Sequence, residues 1–114
     1  MDNNLKNTMN YLVMGISVLI GKNKKDTDRL FEAALDHHTW FHIANESSAH
    51  LWMDASASSI SKDKLYLIAL KLKKKSKFSK TNFVEIVYAQ KDQLQKTNTD
   101  GQILITGKSK IIKI

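Results

Sequence analysis

The sequence predicts an α+β fold: a single domain with a mostly antiparallel sheet and two helices packed on one side of it. Three observations support this prediction. Short β-branched and apolar runs alternate with two segments of helical periodicity, in the order ββαββαβββ. The 114 residues suffice for one core, and no proline, repeat or linker divides them. Residues 1–10 are polar and are expected to form a flexible terminus, so the domain occupies residues 11–114.

The domain is predicted to begin with a hairpin and a short helix. Two β-branched runs, Tyr11–Met14 and Ile16–Ile20, meet at a glycine and predict the hairpin. A short apolar stripe predicts a helix over Asp28–Leu35, and Asp26 or Thr27 is the expected N-cap.

Two tryptophans and two histidines are predicted to share one face of the next hairpin. Residues 39–44 and 50–55 alternate in polarity and predict strands around a polar loop. A hairpin centred on this loop pairs residues whose numbers add up to 92, so that His42 faces His50 and Trp40 faces Trp52. This face would suit stacking on unpaired bases, at roughly 1–3 kcal/mol per base. The alternative is that the tryptophans pack beneath a helix and that backbone carbonyls satisfy the histidines.

The second half is predicted to hold a long helix and three strands. Apolar residues spaced i, i+3, i+4 and i+7 predict a helix from about Lys62 to Lys77, with Ser61 as its cap. The remaining predictions are a strand over Phe83–Tyr88, mostly loop over Gln90–Asp100, and a closing hairpin of Ile103–Thr106 with Ile111–Ile114.

The positive charge is concentrated in the long helix and the residues that follow it. The net charge is +7, and residues 62–80 alone hold eight lysines against one acid. Such a surface favours polyanionic partners, and 17 of the 18 basic residues are lysines, which suit phosphates better than base edges. We therefore expect phosphate binding with little sequence specificity by Lys64, Lys71, Lys74 and Lys75 on the outer side of the helix. An ordinary solvated face is the alternative.

A second basic segment, residues 21–25, lies where a strand is followed by a helix. Backbone amides at such a turn, together with Lys22, Lys24 and Lys25, predict an anion-binding corner. The spacing of a P-loop is absent, and a solvated basic turn is the alternative.

The sequence argues against an enzyme and against a cofactor. There is no cysteine, and the histidines of residues 37–50 include no HExxH pair, so His42 and His50 lack an evident third metal ligand. Ser47 and Ser48 lie near His50 without an obvious orienting acid. No apolar run approaches the length of a membrane span, so we expect a cytoplasmic protein without a membrane partner.

Several short motifs, in this order, resemble the NFACT-R domain, an RNA-binding-type module of proteins in ribosome-associated quality control. The resemblance spans Tyr11 to Ile114 and is closest to the stand-alone, coiled-coil domain-containing protein 25 type. Its motifs are Gly21-Lys22-Asn23, Asp28, Trp40-Phe41-His42, Ser48-Ala49-His50, Val87-Tyr88, Lys96 and Gly101. It implies binding to tRNA or rRNA on or near the ribosome, with a characteristic surface formed by Lys22, Asn23, Asp28, Trp40, His42, Ser48 and His50.

We therefore expect a non-enzymatic module that binds RNA, with DNA as an alternative nucleic acid. The alternative function is that of an adaptor whose basic helix docks an acidic protein partner. Two questions stay open at this point: the oligomeric state, and whether the motif residues bind a ligand or maintain the fold.

Overall fold

The computed structural model describes residues 8–114, so most of the segment predicted to be flexible lies outside the described part. Within it the predicted α+β class and single domain are confirmed. The elements, in chain order, are β1 (Met9–Val13), β2 (Ile16–Gly21), α1 (Lys24–Ala33), β3 (Thr39–Ile43), β4 (His50–Met53), α2 (Lys62–Lys74), β5 (Glu85–Gln90), β6 (Leu94–Lys96), β7 (Ile103–Ile105) and β8 (Lys110–Lys113).

Six strands form one sheet in the order β1-β2-β4-β3-β5-β8, and every neighbouring pair is antiparallel. The predicted first hairpin is confirmed, and β1 begins at Met9, two residues before the expected start. Met14 and Gly15 both have positive φ (50° and 81°), as a two-residue hairpin turn requires. The register of β3 with β4 also matches the prediction, since Trp40 pairs with Trp52 and His42 with His50.

The two helices lie on opposite faces of the sheet, so the expectation that both pack on one side was wrong. Helix α2 covers the face that carries Phe41 and Leu51, whereas α1 covers the face that carries Trp40 and Trp52. The central strands place large apolar residues at both odd and even positions, and a sheet that is apolar on both faces must be covered on both. The α2 core contains Val18, Ile20, Phe41, Ile43, Leu51, Met53, Leu65, Ile68, Ala69, Leu72, Val84 and Ile86.

The helix boundaries correct one predicted cap and confirm the other. Helix α1 begins four residues earlier than expected, because the side chain of Asn23, not of Asp26 or Thr27, accepts the capping bond from the backbone amide of Asp26 (2.8 Å). Ser61 caps α2 as predicted, with its side chain accepting from the amide of Lys64. Neither helix in residues 8–114 has the length and apolar character needed to cross a bilayer.

The C-terminal strands depart most from the prediction. The region expected to be mostly loop, residues 90–100, contains β6, which pairs with β7 in a separate two-stranded sheet. Strand β8 pairs with β5 at the edge of the main sheet, so β7 and β8 do not form the predicted closing hairpin. Strand β5 begins at Glu85, which leaves Phe83 in the turn that precedes it.

Candidate nucleic-acid interface

A pocket of about 260 Å³ lies at one end of the main sheet, where three separate segments meet. We call it the basic pocket. The antiparallel pairing of Gly21 with His50 brings the turn after β2 beside the loop between β3 and β4, and the C-terminal end of α2 closes the third side. Its lining consists of Lys22, Ser47, Ser48, Ala49, Lys75, Ser76 and Lys77.

The chemistry of this lining suits an anion. Three lysines and three serines line it, and no carboxylate is found among the lining residues that the structure describes. The hydroxyl of Ser76 already donates to the carbonyl of Lys73, so the serines of the β3–β4 loop are the hydroxyl donors to consider. Lysine ammonium groups and serine hydroxyls are common donors to phosphate oxygens. The basic pocket can therefore hold a phosphate through charge and hydrogen bonds without contacting a base.

The end of α2 holds its part of the basic pocket in place. The hydroxyl of Ser76 donates to the carbonyl of Lys73 (2.7 Å) and accepts from the amide of Phe78 (3.1 Å), which fixes the chain after the last helical turn. Lysines at this position also complement the partial negative charge of a helix C-terminus. Lys73 itself is buried and donates to the carbonyl of Ile114 (3.0 Å), so it is engaged within the protein.

The four lysines predicted on the outer side of α2 differ in their exposure to solvent. Lys74 and Lys75 are exposed, whereas Lys64 and Lys71 are half-buried along the flank of the helix. The Nζ atom of Lys71 lies 4.0 Å from the centre of the Tyr11 ring, and that of Lys75 lies 5.4 Å from it. The expected outer face is thus replaced by a row of lysines on one flank of α2, in which Lys71 and Lys75 face Tyr11 of β1 and Lys75 also lines the basic pocket.

The predicted corner at residues 21–25 is divided by the start of α1. Lys22 enters the basic pocket, whereas Lys24 and Lys25 belong to the first helical turn. Asn23 serves as the helix cap, and the backbone of Gly101 packs closely against Lys24. Only one of the three lysines of this segment therefore joins the pocket.

Asp28 connects α1 to the small β6–β7 sheet. Its Oδ1 lies 2.6 Å from Nζ of Lys96 and accepts from the amide of Gly101 (2.9 Å). Burial acts to raise the pKa of Asp28, but the bonds from Lys96 and Gly101 outweigh it and hold the pKa below its ordinary value. The carboxylate is thus a structural clamp, and the structure gives it no contact with the basic pocket.

The predicted stacking face is wrong for the tryptophans, because α1 covers it. Trp52 is fully buried and Trp40 is 3% exposed, so neither ring offers a free surface to a base. Nε1 of Trp40 donates to Nδ1 of His50 (2.8 Å), and the His50 ring lies 4.3 Å from that of His42, centre to centre. This is close to the alternative drawn from the sequence, except that an indole rather than a carbonyl satisfies His50.

Both histidines of this cluster are held neutral. Burial first, and then repulsion from His42, lower the pKa of His50 to about 3, against a smaller opposing effect of Asp28. Burial likewise lowers the pKa of His42, and a hydrogen bond with the Ser48 backbone opposes it.

One cluster within residues 8–114 has the composition of a metal site, but its bonding argues against that role. His37, His38 and Asp54 place their ligand atoms within 4.8 Å of one another. Nδ1 of His38 accepts from the amide of Leu35 (3.0 Å), which places the proton of a neutral His38 on Nε2, and Nε2 lies 2.6 Å from Oδ1 of Asp54. A metal ligand needs a free lone pair, and His38 offers none in this arrangement. That the protein binds no metal stays a prediction.

Sequence reasoning selected Lys22, Ser48 and Lys75 for the interface, and the structure brings these three together. It did not select Lys77, Ser47 or Ser76. Lys77 belongs to the lysine-rich stretch and was detectable by charge, whereas the two serines carry no sequence signal of their own. Their place in the pocket follows from tertiary contacts alone.

Comparison with known proteins shows a family and a related fold. The family model described as the NFACT protein RNA binding domain matches residues 7–113. The solved C-terminal part of the fibronectin/fibrinogen-binding protein from Streptococcus suis superposes with a TM-score of 0.79 at 21% identity, over 94% of this chain and 45% of that one. At that identity the likeness concerns the fold, and this chain spans less than half of the solved structure. A search of curated proteins gave no match.

Proposed function

The chain belongs to the NFACT-R family of RNA-binding domains, and from this membership we propose that it binds RNA phosphates through the basic pocket and the adjoining row of α2 lysines. The RNA is tRNA or rRNA, bound on or near the ribosome in the cytoplasm, and little sequence specificity is expected. The basic residues of this surface are lysines, and it lacks an arginine whose forked guanidinium could read the edge of a base. Contacts with phosphates do not distinguish one base sequence from another.

The observation that carries this proposal is the convergence of three chain segments on one basic pocket. Lys22, Lys75 and Lys77 come from the turn after β2 and from the end of α2, and the serines of the β3–β4 loop complete the lining. A solvated charge run would leave its lysines scattered along one helix. Here lysines distant in sequence line one pocket together with two serines of the β3–β4 loop, a combination that suits a bound phosphate.

The α2 lysines extend this surface beyond a single phosphate. Lys64, Lys71 and Lys75 are spaced by seven and four residues, so they lie in one row on the helix. From Lys64 to Lys75 the row rises by roughly 16 Å. A nucleic-acid strand that enters the basic pocket can therefore follow the flank of α2.

A charge-matched pair of triple variants tests the proposal. The first variant changes Lys22, Lys75 and Lys77 of the basic pocket to glutamine. The control changes three other lysines to glutamine, Lys62, Lys108 and Lys110, which line a different cavity that also contains Tyr88 and Gln90. Both variants lower the net charge from +7 by three, to +4, so any difference between them reports position and not overall charge.

The readout is the affinity for a labelled single-stranded RNA, measured by fluorescence anisotropy over a range of salt concentrations. Each phosphate contact contributes about −0.7 to the slope of log K against log salt for a single strand. The pocket variant should flatten the slope by roughly two, and the control variant by much less. Equal effects of the two variants would mean that the pocket has no special role.

A competition experiment separates the adaptor alternative. A polyglutamate peptide that competes with RNA on equal terms would favour an acidic protein partner. RNA that outcompetes polyglutamate of matched charge would support the nucleic-acid function. Crosslinking in cells followed by sequencing of the attached RNA would then identify tRNA, rRNA or another target.

A further inference from the structure

Phe83 is the most exposed of the large apolar side chains that the structure describes, at 80% exposure. It lies in the turn between α2 and β5, with Lys77 and Lys80 a few residues before it. Its ring is largely outside both core clusters, so the folded protein gains little from burying it.

The backbone of Phe83 is also strained. Its φ of +60° lies in the left-handed region, where a bulky residue with a Cβ is uncommon and glycine or asparagine is the ordinary choice. The residue directly before it is Asn82, so the asparagine that would suit a left-handed backbone lies one position too early to relieve the strain. An exposed aromatic ring on a strained backbone stabilises neither the core nor the turn, and such outliers often lie at functional sites.

The position of Phe83 relates it to the basic pocket. Ile43 pairs with Ile86, and the amide of Ala44 donates to the carbonyl of Glu85 (2.9 Å), so the start of β5 lies beside the β3–β4 loop. That loop lines the basic pocket. In the strand order β2-β4-β3-β5, three strand spacings of about 4.8 Å separate β2 from β5, or roughly 14 Å at this end of the sheet.

We propose that Phe83 is a stacking site for an unpaired nucleobase of the strand whose phosphates occupy the basic pocket. This inference rests on the proposed RNA binding and adds a preference for single-stranded over duplex RNA. The aromatic face accepts any base, which agrees with binding that has little sequence specificity. Phe83 thus takes the role that the sequence suggested for the buried Trp40.

The test compares Phe83→Asn, Phe83→Leu and Phe83→Tyr with the wild-type protein. Asparagine removes the ring and suits the left-handed backbone, so Phe83→Asn should have a Tm no lower than wild type. Leucine keeps an apolar side chain without a π-face, and tyrosine keeps the aromatic ring. The matched control is Leu12→Asn, which removes another exposed apolar side chain (75% exposed) from β1 at the opposite edge of the sheet.

Affinity is measured for three probes: a short single-stranded RNA, a duplex RNA of the same length, and inorganic polyphosphate. For the single strand, Phe83→Asn and Phe83→Leu should lose about 5- to 150-fold in affinity, the equivalent of roughly 1–3 kcal/mol for one stacked base. Phe83→Tyr and Leu12→Asn should stay within about twofold of wild type. Binding of duplex RNA and polyphosphate should not change in any of the four variants.

The outcomes separate this inference from the proposed function. If the asparagine and leucine variants bind the single strand like wild type while the pocket lysine variant loses it, stacking at Phe83 is refuted and the phosphate site stands. An equal loss for polyphosphate would also refute stacking, because polyphosphate has no base. A wild-type protein that binds none of the three probes would overturn both proposals.

Discussion

Replacement of Trp40 by phenylalanine tests whether this tryptophan belongs to the core or to the interface. The structure buries 97% of the residue and uses its Nε1 to satisfy Nδ1 of His50 at 2.8 Å. Phenylalanine keeps most of the apolar volume but removes the donor, which leaves the buried nitrogen of His50 unpaired. Such a loss costs about 1–3 kcal/mol, and Trp40→Ala, which also creates a cavity, should cost about 3–5 kcal/mol.

The assay is urea unfolding at pH 7, followed by far-UV circular dichroism, together with RNA affinity at a temperature where every variant is folded. A double-mutant cycle of Trp40→Phe with His50→Leu isolates the pair, and a coupling energy of roughly 1 kcal/mol is expected. RNA affinity should stay within about twofold of wild type, since a buried ring cannot stack on a base. Unchanged stability combined with a loss of RNA affinity would show that Trp40 is exposed and that this structural reasoning is wrong.

Two further predictions concern the buried polar contacts. Asp28→Ala removes both the ion pair with Lys96 and the bond from the Gly101 amide, and it should lower the free energy of unfolding by about 2 kcal/mol. Asp28→Asn keeps an acceptor and should therefore lose about half of that. Equal urea midpoints for wild type and Asp28→Ala would contradict the role of Asp28 as a clamp. Stability should also fall on acidification below about pH 6.5, the ordinary histidine pKa. In the folded state the pKa values of His42 and His50 are lowered, so below that pH the unfolded chain binds protons that the folded protein does not. For His50 the loss of stability should continue down to its folded pKa of about 3, at up to about 1.4 kcal/mol per pH unit. In His50→Gln the free energy of unfolding should depend less steeply on pH, because one fewer proton is taken up on unfolding. Urea midpoints measured from pH 8 to pH 5 check this, and a flat profile would show that the histidines are solvated.

Local patterns were enough for those parts of the fold that depend on neighbours in sequence. The register of β3 with β4 was predictable because the polar loop sets the centre of the hairpin, and because a slip of one residue would move the apolar residues of one strand to the other face. The inward stripe of α2 followed from helical spacing, and its Ser61 cap from a hydroxyl directly before the apolar pattern.

The errors lie where a partner distant in sequence decides the outcome. The cap of α1 is a local exception, because Asn23 accepts from the amide of Asp26, three residues further along. Strand β7 pairs with β6, whereas β8 pairs with β5 and becomes an edge strand of the main sheet. Hydrophobic alternation does not say which strand lies next to which.

For the candidate interface, the sequence by itself determined the chemical class of the ligand, and the tertiary structure decided which residues meet it. A charge of +7 within residues 62–80 already predicts a polyanion, since net charge needs no coordinates to be counted. The convergence of Lys22 with Lys75 depends on the pairing of β2 with β4 and on the side of the sheet that α2 covers. The burial of Trp40 likewise depends on α1 crossing the opposite face. Period-two alternation places residues on a common face, but only the packing of the whole chain determines whether that face meets solvent or a helix.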